Sequence, residues 1–451
     1  MNTALIHKYN VPGPRYTSYP TVPYWDQSAP EEEVWKAQVK ATYEGSKKDG
    51  LSIYIHLPYC ESLCTYCGCN TRITVNHTVE SPYINTLLKE WELYCNLLGE
   101  APLIKEIHLG GGTPTFFSPE NLKYLINTIL AKGKVCPETE MSFEAHPNNT
   151  RKEHMQALYT LGFRRMSLGI QDFDEAVQRK VNRIQTFEQI KKVSTIAREI
   201  GYTSINFDLI YGLPLQTETS VRDTIEKTAL LRPDRIAFYS YAHVPWLKPA
   251  QKSYEQDLPS HHLKRKLYET GKALLVDKGY YEIGMDHFAH QNDSLYKASQ
   301  NKSLHRNFMG YCTAATQLLI GLGASSISDT WTAFGQNMKS VEAYMQQVEE
   351  GRFPIYRGHI LNQEDLIIRR HILNLMCQQQ THWKGAEAPA SLFAELKERL
   401  HELIEDKIVS LEKHSLKISE EGKPFLRNVC MALDARMWKH KPKTALFSNT
   451  I

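Results

Sequence analysis

Short apolar or β-branched runs alternate with helical patterns through the first half of this chain, and this alternation restricts the possible folds most. The runs that predict strands cover residues 51–56, 104–109, 140–145, 165–170, 203–211 and 235–241. The helical patterns between them cover residues 79–99, 118–132, 150–162, 173–200 (with a break near 183) and 216–231. Six strand–helix repeats predict an α/β fold with a parallel sheet, arranged either as an open doubly wound sheet or as a complete or partial barrel.

A glycine, polar or ionisable residue follows each predicted strand. These residues are His56–Cys60, Gly110–Thr113, Glu144–His146, Gln171 with Asp172, Asp208 with Gly212, and Tyr241–His243. Glycine and aspartate also favour turns, so turn chemistry explains any one of these strand ends taken alone. The carboxyl ends of parallel strands open on the same side, so the six ends together predict a shared site.

The remaining segments predict additions to this core. Three prolines and three tyrosines in 9–21 predict an extended arm with one short helix nearby. A helix is predicted at 260–278 and a strand at 280–285, followed by a long functional loop region at 286–330. We therefore predict an N-terminal arm (1–45), a core (46–245), a core extension with substrate-site loops (246–334) and a small helical, winged-helix-like domain (335–451), with helices in 362–406 and a hairpin in 407–419.

Charge and composition exclude several classes of protein. The 53 basic and 50 acidic residues are too balanced to indicate nucleic-acid binding. The first residues have no apolar region typical of a secretory signal, and no apolar run reaches the length of a membrane span. Nine cysteines, four of them bunched, do not form the pattern of a disulfide framework. Reduced thiols in the cytoplasm fit these features.

The bunched cysteines are Cys60, Cys64, Cys67 and Cys69, directly after the first predicted strand. The first three are spaced C-x3-C-x2-C. Three thiolates can hold three irons of a [4Fe–4S] cube and leave the fourth iron open to a ligand. Zinc is the structural alternative, but zinc sites usually combine two separated close pairs, so iron–sulfur is favoured. If the first three cysteines bind the cluster, three roles are open for Cys69. It is an inert thiol, a side chain that supports the ligands without binding iron, or a ligand under some conditions only.

Other polar residues at the strand ends are weaker signals. Gly110–Thr115 lets backbone approach a ligand closely, but it matches neither the phosphate loop nor the dinucleotide fingerprint. Glu144, Gln171, Arg183 and Asp208 supply donors and acceptors that suit ribose hydroxyls, an amino acid moiety and a sulfonium. Each of them, taken alone, is as well explained by a structural role.

The cysteine spacing is the hallmark of radical S-adenosylmethionine enzymes, and the chain resembles one branch of them, the oxygen-independent coproporphyrinogen III oxidases. The resemblance extends from about residue 9 to past 430. The strings that carry it are Gly-Pro-Arg-Tyr-Thr-Ser-Tyr-Pro-Thr (13–21), Cys-Gly-Cys-Asn (67–70), Gly-Gly-Gly-Thr-Pro-Thr (110–115), Gly-Ile-Gln-Asp-Phe (169–173), Val-Asn-Arg (181–183), Asp-Leu-Ile-Tyr-Gly-Leu-Pro (208–214), Tyr-Ala-His (241–243), Gly-Met-Asp-His-Phe-Ala (284–289) and Leu-His-Arg-Asn-Phe (304–308).

The resemblance implies a partial (β/α)6 radical-SAM barrel and a radical reaction. In this family a reduced cluster passes one electron to S-adenosylmethionine, and the resulting 5′-deoxyadenosyl radical removes a β-hydrogen from a propionate of coproporphyrinogen III. Loss of CO2 and one electron leaves a vinyl group, and two such events give protoporphyrinogen IX in haem biosynthesis. The protein contributes positioning and the exclusion of water and oxygen.

The resemblance also implies site residues. Cys60, Cys64 and Cys67 correspond to the cluster ligands. The positions that correspond to the contacts of the cluster-bound S-adenosylmethionine are Tyr54, Gly111, Glu144 and Ile327. A second S-adenosylmethionine corresponds to Tyr66, where the family usually has Phe, and to Gly112, Thr113, Gln171, Arg183, Asp208 and Ala242. The four carboxylates of the substrate imply a basic mouth, for which the candidates are Arg15, Arg72, His305 and Arg306.

One segment departs from the family pattern. Met309 stands where glutamine is expected, and Cys-Thr-Ala-Ala-Thr (312–316) replaces Thr-Thr-Gln-Gly-Asp. The departure predicts a lost polar contact near the substrate or the adenosylmethionine pair. Two alternatives to the oxidase follow, a divergent radical enzyme that processes haem or another tetrapyrrole and a haem-trafficking protein on the same scaffold. The resemblance further implies a monomer and an electron donor such as a flavodoxin or ferredoxin.

Overall fold

The computed structural model describes residues 3–26, 28–383, 390–440 and 446–450. Its strands are β1 (Leu51–Leu57), β2 (Tyr59–Cys60), β3 (Arg72–Ile73), β4 (Leu103–Gly111), β5 (Lys134–Ala145), β6 (Arg165–Gln171), β7 (Ser204–Tyr211), β8 (Arg235–Ser240), β9 (Tyr281–Gly284), β10 (His287–Ala289), β11 (His305–Asn307), β12 (Gly310–Cys312), β13 (Leu318–Leu322), β14 (Ile327–Asp329), β15 (Ala333–Asn337), β16 (Ile355–Ile360), β17 (Gln380–His382), β18 (Val409–Glu412) and β19 (Ser415–Ile418).

The α-helices alternate with these strands in the first half and dominate the C-terminal part. They are α1 (Thr3–Tyr9), α2 (Glu32–Ser46), α3 (Glu80–Leu98), α4 (Pro119–Ala131), α5 (Lys152–Thr160), α6 (Glu175–Lys180), α7 (Phe187–Ile200), α8 (Glu218–Leu231), α9 (His261–Asp277), α10 (Ser294–Gln300), α11 (Val341–Glu349), α12 (Gln363–Gln378), α13 (Ala390–Arg399), α14 (His401–Glu405), α15 (Leu426–Leu433) and α16 (Ala435–Lys439).

The six predicted strands form the parallel centre of a 12-stranded sheet. The strand order is β16-β15-β14-β13-β1-β4-β5-β6-β7-β8-β10-β9, and β1, β4, β5, β6, β7 and β8 are all parallel. The outer strands β10 and β14 to β16 pair antiparallel. β1 pairs with β4 and β13, and not with β8, so the six-stranded part is a partial barrel, as predicted.

Local signals set the helices between the strands. Ser118 accepts a hydrogen bond from the Asn121 amide at the start of α4, with Pro119 in the first turn. Thr186 and Gln189 form a capping box for α7. The predicted break near 183 is real, since α6 ends at Lys180 and α7 begins at Phe187. Ser118 thus fixes the start of α4 after β4, and Thr186 fixes the start of α7 after the break.

The loop prediction for 286–330 is wrong. This segment contains β10 to β14 and α10, and β13 lies in the centre of the sheet beside β1. The apolar run Leu318–Leu322 is completely buried and was the available signal. Short strands among Asp, Asn, Gly and Ser residues give too little periodicity to be recognised.

The predicted boundaries need correction at both ends. The segment 1–45 holds α1 and nearly all of α2, and Trp35 and Val39 of α2 belong to the main core. A boundary at 334/335 cuts β15, and β15 and β16 both belong to the large sheet. The C-terminal unit therefore begins after Ile360. Its predicted hairpin is β18–β19, joined by β17, and parts of the predicted helices in 362–406 lie outside the described residues.

A second hydrophobic core holds the N-terminal arm against the C-terminal unit. Tyr9, Tyr16 and Tyr19 pack with residues of α12 to α15. The guanidinium of Arg427 donates hydrogen bonds to the carbonyls of Gly13, Pro14 and Asn449. Residues 10–21 contain no helix, as their prolines predict, but the chain bends at 17–20 and is not extended throughout. Among the described helices, none is long and apolar enough to cross a membrane.

A buried carboxyl group supports the turn between β13 and β14. Glu90 of α3 is fully buried and accepts hydrogen bonds from the Gly323 amide (2.8 Å), Asn337 Nδ2 (2.6 Å) and the Tyr344 hydroxyl (2.7 Å). Burial raises the pKa of Glu90 to about 7, although these three donors oppose the rise. The folded chain therefore binds a proton at Glu90 more tightly than the unfolded chain does.

We predict that this carboxyl group makes stability depend on pH. Stability contributed by protonated Glu90 is fully present below about pH 4.5 and is lost as the pH rises to about 7. The loss is about 3 kcal/mol, since one pKa unit corresponds to about 1.4 kcal/mol. Urea denaturation between these pH values should show a loss of stability that is larger in the wild type than in Glu90→Gln by about this amount, because Asp172, Asp208 and Asp434 also have raised pKa values and contribute to both slopes. Glu92→Gln, at an exposed position of the same helix, is the control and should keep the slope; equal slopes in all three proteins would refute the assignment.

Candidate functional site

A cavity of about 370 Å³ opens at the carboxyl edge of the parallel strands. Its wall is built from the loop after β1, the glycine run after β4 and inward-facing side chains of β5 to β8. Most of the predicted site residues line it. They are Cys60, Cys64, Tyr66, Cys67, Gly111, Gly112, Thr113, Glu144, Gln171, Arg183 and Asp208. Residues from five of the six predicted strand ends therefore share one cavity, whereas Tyr241–His243 at the sixth do not line it.

The loop from Cys60 to Asn70 is fixed to the barrel at both ends. Gly112 and Thr113 donate backbone hydrogen bonds to the carbonyls of Leu57 and Tyr59. At the far end, His56 Nε2 lies 2.8 Å from the Asn70 carbonyl oxygen. A carbonyl only accepts, so Nε2 carries the proton and Nδ1 accepts from the Tyr54 hydroxyl at 3.2 Å. The loop is thus held rigidly over the cavity.

The thiols of this loop have the chemistry of iron–sulfur ligands. Cys60 Sγ lies 3.3 Å from Thr113 Oγ1, and Cys64 Sγ accepts from Arg183 Nη1 at 3.5 Å. A hydrogen bond from Cys69 lowers the pKa of Cys67 to about 6, with Lys248 and Arg183 contributing, whereas burial raises the pKa of Cys60 to about 11. Nearby positive charge favours bound thiolates at all three positions.

The described ranges contain no group of three His, Cys, Asp or Glu side chains that could hold one metal ion. In a [4Fe–4S] cube each thiolate binds a different iron, so the three sulfurs need not converge on one point. The three thiols on one cavity wall therefore fit a [4Fe–4S] cluster.

Glycines leave room beside the thiols. A Cβ added at Gly112 would lie 2.6 Å from the backbone of Pro58 and 2.8 Å from the Tyr59 carbonyl, and one at Gly110 would lie 2.9 Å from Glu144 Oε1. Gly111 has φ +112°, a conformation that other residues rarely adopt. The glycine run thus packs directly under the cysteine loop and keeps the Glu144 carboxylate accessible from the cavity.

Two partly buried carboxyl groups face the cavity, and their pKa values are shifted in opposite directions. Burial opposes ionisation of Glu144, but His108 and the Gly111 amide, which donates at 3.1 Å, outweigh it and lower the pKa. Burial raises the pKa of Asp208 to about 6, with Ser167 and Asn206 opposing through hydrogen bonds. Glu144 is therefore an anion at neutral pH and suits a cationic or hydrogen-bond-donating ligand.

Arg183 and Gln171 reach into the cavity from the neighbouring strand end. Arg183 Nη2 donates to the Gly169 carbonyl at 2.6 Å, and its buried Nε has no partner among the described residues. Gln171 has φ +69°, a strained conformation for a residue with a side chain. Asp172 stabilises this turn by accepting from Gln216 and Thr224. An unpaired buried N–H and backbone strain both occur where a ligand is expected to bind.

Three predicted residues do not line the cavity. Tyr54 lies behind Gly110 and contacts His56. Ala242 accepts from Gln251 through its carbonyl, and Ile327 packs beside Trp25 and Phe334. Their roles stay predictions that require the ligand to extend beyond the cavity or to contact the backbone.

The basic candidates are dispersed. Arg72 is exposed and pairs with Glu342, and Arg15 pairs with Asp286 at 3.1 Å and donates to the Ser240 carbonyl. His305 has its pKa lowered to about 4 by burial and does not line the cavity. Arg306 lies beneath Tyr311, a residue of the cavity wall.

The segment that departs from the family pattern is divided between two places. Met309 lines the cavity, as the prediction of a changed contact requires. Thr313 donates to Glu140, and Thr316 Oγ1 lies 2.7 Å from Ser52 Oγ, near the amino end of β1. Residues 313–316 therefore close the opposite end of the barrel, so for them the expected position near the substrate is wrong.

Sequence reasoning missed the polar interior of the barrel. The additional lining residues include His108, Ser142, Arg165, Ser167, Asn206, Arg235, Tyr239, His287, Met309 and Tyr311. Several of them repeat at every second position, as Ser142 and Glu144 do in β5 and Asn206 and Asp208 in β7. This two-residue period within otherwise buried strands was the available signal.

The comparisons with known proteins agree with this geometry. The family model described as the Radical SAM superfamily matches residues 54–228. The oxygen-independent coproporphyrinogen III oxidase of Synechocystis is 37% identical, with 99% of this chain and 97% of the relative covered. That of Escherichia coli K12 is 36% identical, with 99% and 98% covered. The solved structure of the Escherichia coli coproporphyrinogen III oxidase has a TM-score of 0.90 at 35% identity, with 96% and 98% covered.

The fold and the cysteine-lined cavity define the chain as a member of the radical SAM superfamily, whose enzymes use a [4Fe–4S] cluster and S-adenosylmethionine. Within that superfamily, the chain belongs to the oxygen-independent coproporphyrinogen III oxidase family.

The glycine run provides a test of how the cysteine loop is held. We predict that Gly112→Ala pushes the Pro58–Tyr59 backbone outward, because the added methyl would meet it at 2.6 Å. Iron and sulfide bound after anoxic reconstitution should fall several-fold. Gly68→Ala is the matched control within the loop itself, since an added Cβ there meets nothing within 4 Å, and it should retain full cluster content. Equal iron content in the two variants would contradict this packing argument.

Proposed function

We propose that the chain catalyses the oxygen-independent oxidative decarboxylation of coproporphyrinogen III in haem biosynthesis. Two propionates become vinyl groups, giving protoporphyrinogen IX. The observation that carries this proposal is the joint placement of the C-x3-C-x2-C thiols, Glu144 and Arg183 on one cavity wall, in a chain that aligns end to end with oxidases of that name. The same alignment favours the oxidase over a haem-trafficking or haem-processing alternative.

We assign Cys60, Cys64 and Cys67 as the ligands of the cluster, with the fourth iron open. Held by these three residues, the cluster would supply the electron that reductive cleavage of S-adenosylmethionine requires. Cys69 is not a ligand in this assignment. Its contact with Cys67 and the Lys248 hydrogen bond to its carbonyl support the loop.

The residues around the thiols bind and orient the cofactor. The Glu144 carboxylate accepts hydrogen bonds from the ammonium group of S-adenosylmethionine. The glycines at 111 and 112 let backbone groups approach the cofactor. Tyr54 and Ile327, which do not line the cavity, are assigned to the binding site of the same, cluster-bound S-adenosylmethionine. A second S-adenosylmethionine is assigned to Tyr66, Gly112, Thr113, Gln171, Arg183, Asp208 and Ala242.

Charged groups are available for both S-adenosylmethionine molecules. Glu144 is ionised at neutral pH, and Asp208, whose pKa burial raises to about 6, is mostly ionised there as well. The free Nε of Arg183 suits a carboxylate or a hydroxyl. Enclosure of these groups excludes water, which protects a reactive radical from side reactions.

The exposed apolar residues near the cluster loop support access by an electron donor. Leu63 is 43% exposed and Trp246 49%, and Lys248 beside Trp246 is tied to Cys69. A small carrier such as a flavodoxin or ferredoxin fits this rim. A monomer in the cytoplasm stays our expectation.

The function is tested by anoxic turnover. Reconstituted protein with coproporphyrinogen III, S-adenosylmethionine and dithionite should release CO2 and form the tricarboxylic intermediate and then protoporphyrinogen IX, measured by chromatography after oxidation to the porphyrins. Tight haem binding with no CO2 release would instead support the carrier alternative.

The ligand assignment is tested by single cysteine substitutions. Cys64→Ala should abolish both the cluster and cleavage of S-adenosylmethionine, because a cube held at two corners loses iron. Cys69→Ala should keep iron and sulfide at the level of the wild type. Cys95→Ala, on α3 and away from the cavity, is the control. Retained cleavage in Cys64→Ala would remove Cys64 from the ligand set, and loss of iron in Cys69→Ala would add Cys69 to it.

A further inference from the structure

The guanidinium of Arg306 is buried without a carboxylate partner. Arg306 is 8% exposed, and its Nε and Nη1 make no hydrogen bond in the described part of the chain. Nη2 makes a single long contact of 3.4 Å to the Arg15 carbonyl. A buried cation without a counter-charge is unfavourable by several kcal/mol, so such a group usually has a bound anion in the working state.

Arg306 lies one side chain away from the cavity. Its guanidinium stacks 4.5 Å from the ring of Tyr311, its partner across the β11–β12 hairpin. The Tyr311 ring packs edge-on against His287 at 5.2 Å. Tyr311 and His287 both line the cavity. A single aromatic ring, that of Tyr311, therefore separates the Arg306 guanidinium from the cavity.

The nearby acidic group is already neutralised. Asp286, next to His287, pairs with Arg15 at 3.1 Å and is therefore not available to Arg306. His287 Nδ1 is buried and has no hydrogen-bond partner within the described ranges. Burial and Arg306 lower the pKa of His287 to about 3, so the ring is neutral at physiological pH. Two unpaired polar groups therefore lie side by side at one cavity wall.

We propose that Arg306 and His287 form a subsite for a ligand carboxylate on the cavity wall formed by β8, β10 and the β11–β12 hairpin. The carboxylate meets His287 directly and is stabilised by the charge of Arg306. Direct contact with Arg306 requires the Tyr311 ring to rotate and to release the hydrogen bond from its hydroxyl to the Met376 carbonyl at 2.9 Å. This inference rests on the proposed function, in which the substrate brings four propionates. The carboxylate could also come from the methionyl group of S-adenosylmethionine.

Met309 agrees with this assignment. It follows the same strand as Arg306, and its side chain lines the cavity next to Tyr311. An apolar side chain here does not compete for Arg306 or His287, whereas an amide would. Met309 itself therefore adds neither charge nor hydrogen bonds to the subsite.

The experiment compares an acid and its ester. Binding of coproporphyrin III, the unreactive oxidised form of the substrate, and of its tetramethyl ester is followed by fluorescence quenching with the reconstituted protein. Arg306→Met should weaken binding of the acid by at least about tenfold, the size expected for one charged hydrogen bond, and leave the ester unchanged. Arg306→Lys should restore most of the affinity. Arg352→Met, at an exposed arginine far along the chain, is the control.

The two sources of the carboxylate are separated by a second titration. If Arg306→Met weakens only S-adenosylmethionine, the subsite holds the cofactor; if it weakens only coproporphyrin III and raises KM with little change in kcat, it holds the substrate. Equal loss for acid and ester would indicate a packing role and overturn the proposal, as would unchanged binding of both ligands. Should Arg306→Met fail to fold, equal affinity of the wild type for acid and ester would overturn it as well. Absence of turnover in the wild type would instead refute the proposed function.

Discussion

The parallel pairing of β1 with both β4 and β13 is the constraint on which the rest of the structure depends. It places the loop that follows β1 in the middle of the sheet, with strand ends on either side. The glycine run after β4 then lies directly under that loop, and backbone hydrogen bonds from Gly112 and Thr113 hold it. Because all six central strands are parallel, their carboxyl ends converge on one opening, where the thiols and the polar side chains meet.

Several charged side chains around this cavity are arranged in neighbouring pairs. Glu144 has His108, and Arg235 has Asp293 at 2.6 Å. Such pairing satisfies groups that would otherwise be costly to bury. Arg306 has no carboxylate partner among the described residues. Because it lies directly behind the cavity wall, we relate this missing partner to ligand binding. The polar interior of the barrel thus combines structural ion pairs with a few groups kept for ligands.

The substitutions at 309–316 illustrate how local sequence comparison misplaces residues. Residues in the β11–β12 hairpin and residues just after it are close in sequence but lie at different ends of the barrel. Met309 lies on the cavity wall, while Thr313 and Thr316 close the far end of the barrel. The loss of the glutamine expected at 314 and of the aspartate expected at 316 therefore concerns the floor of the barrel. Of the positions that depart from the family pattern, only Met309 lines the cavity.

The sequence by itself determined the alternation of six strands and their helices, the cysteine spacing and most of the cavity wall, because each depends on local periodicity or on residues near a strand end. It did not determine the place of β13 to β16, which are short and joined to the sheet only by distant pairing, nor the boundary after Ile360. It also did not show which charges are paired. Tertiary structure decided that, because a salt bridge such as Arg15 with Asp286 joins residues that are 271 positions apart, and only folding brings them within hydrogen-bond distance.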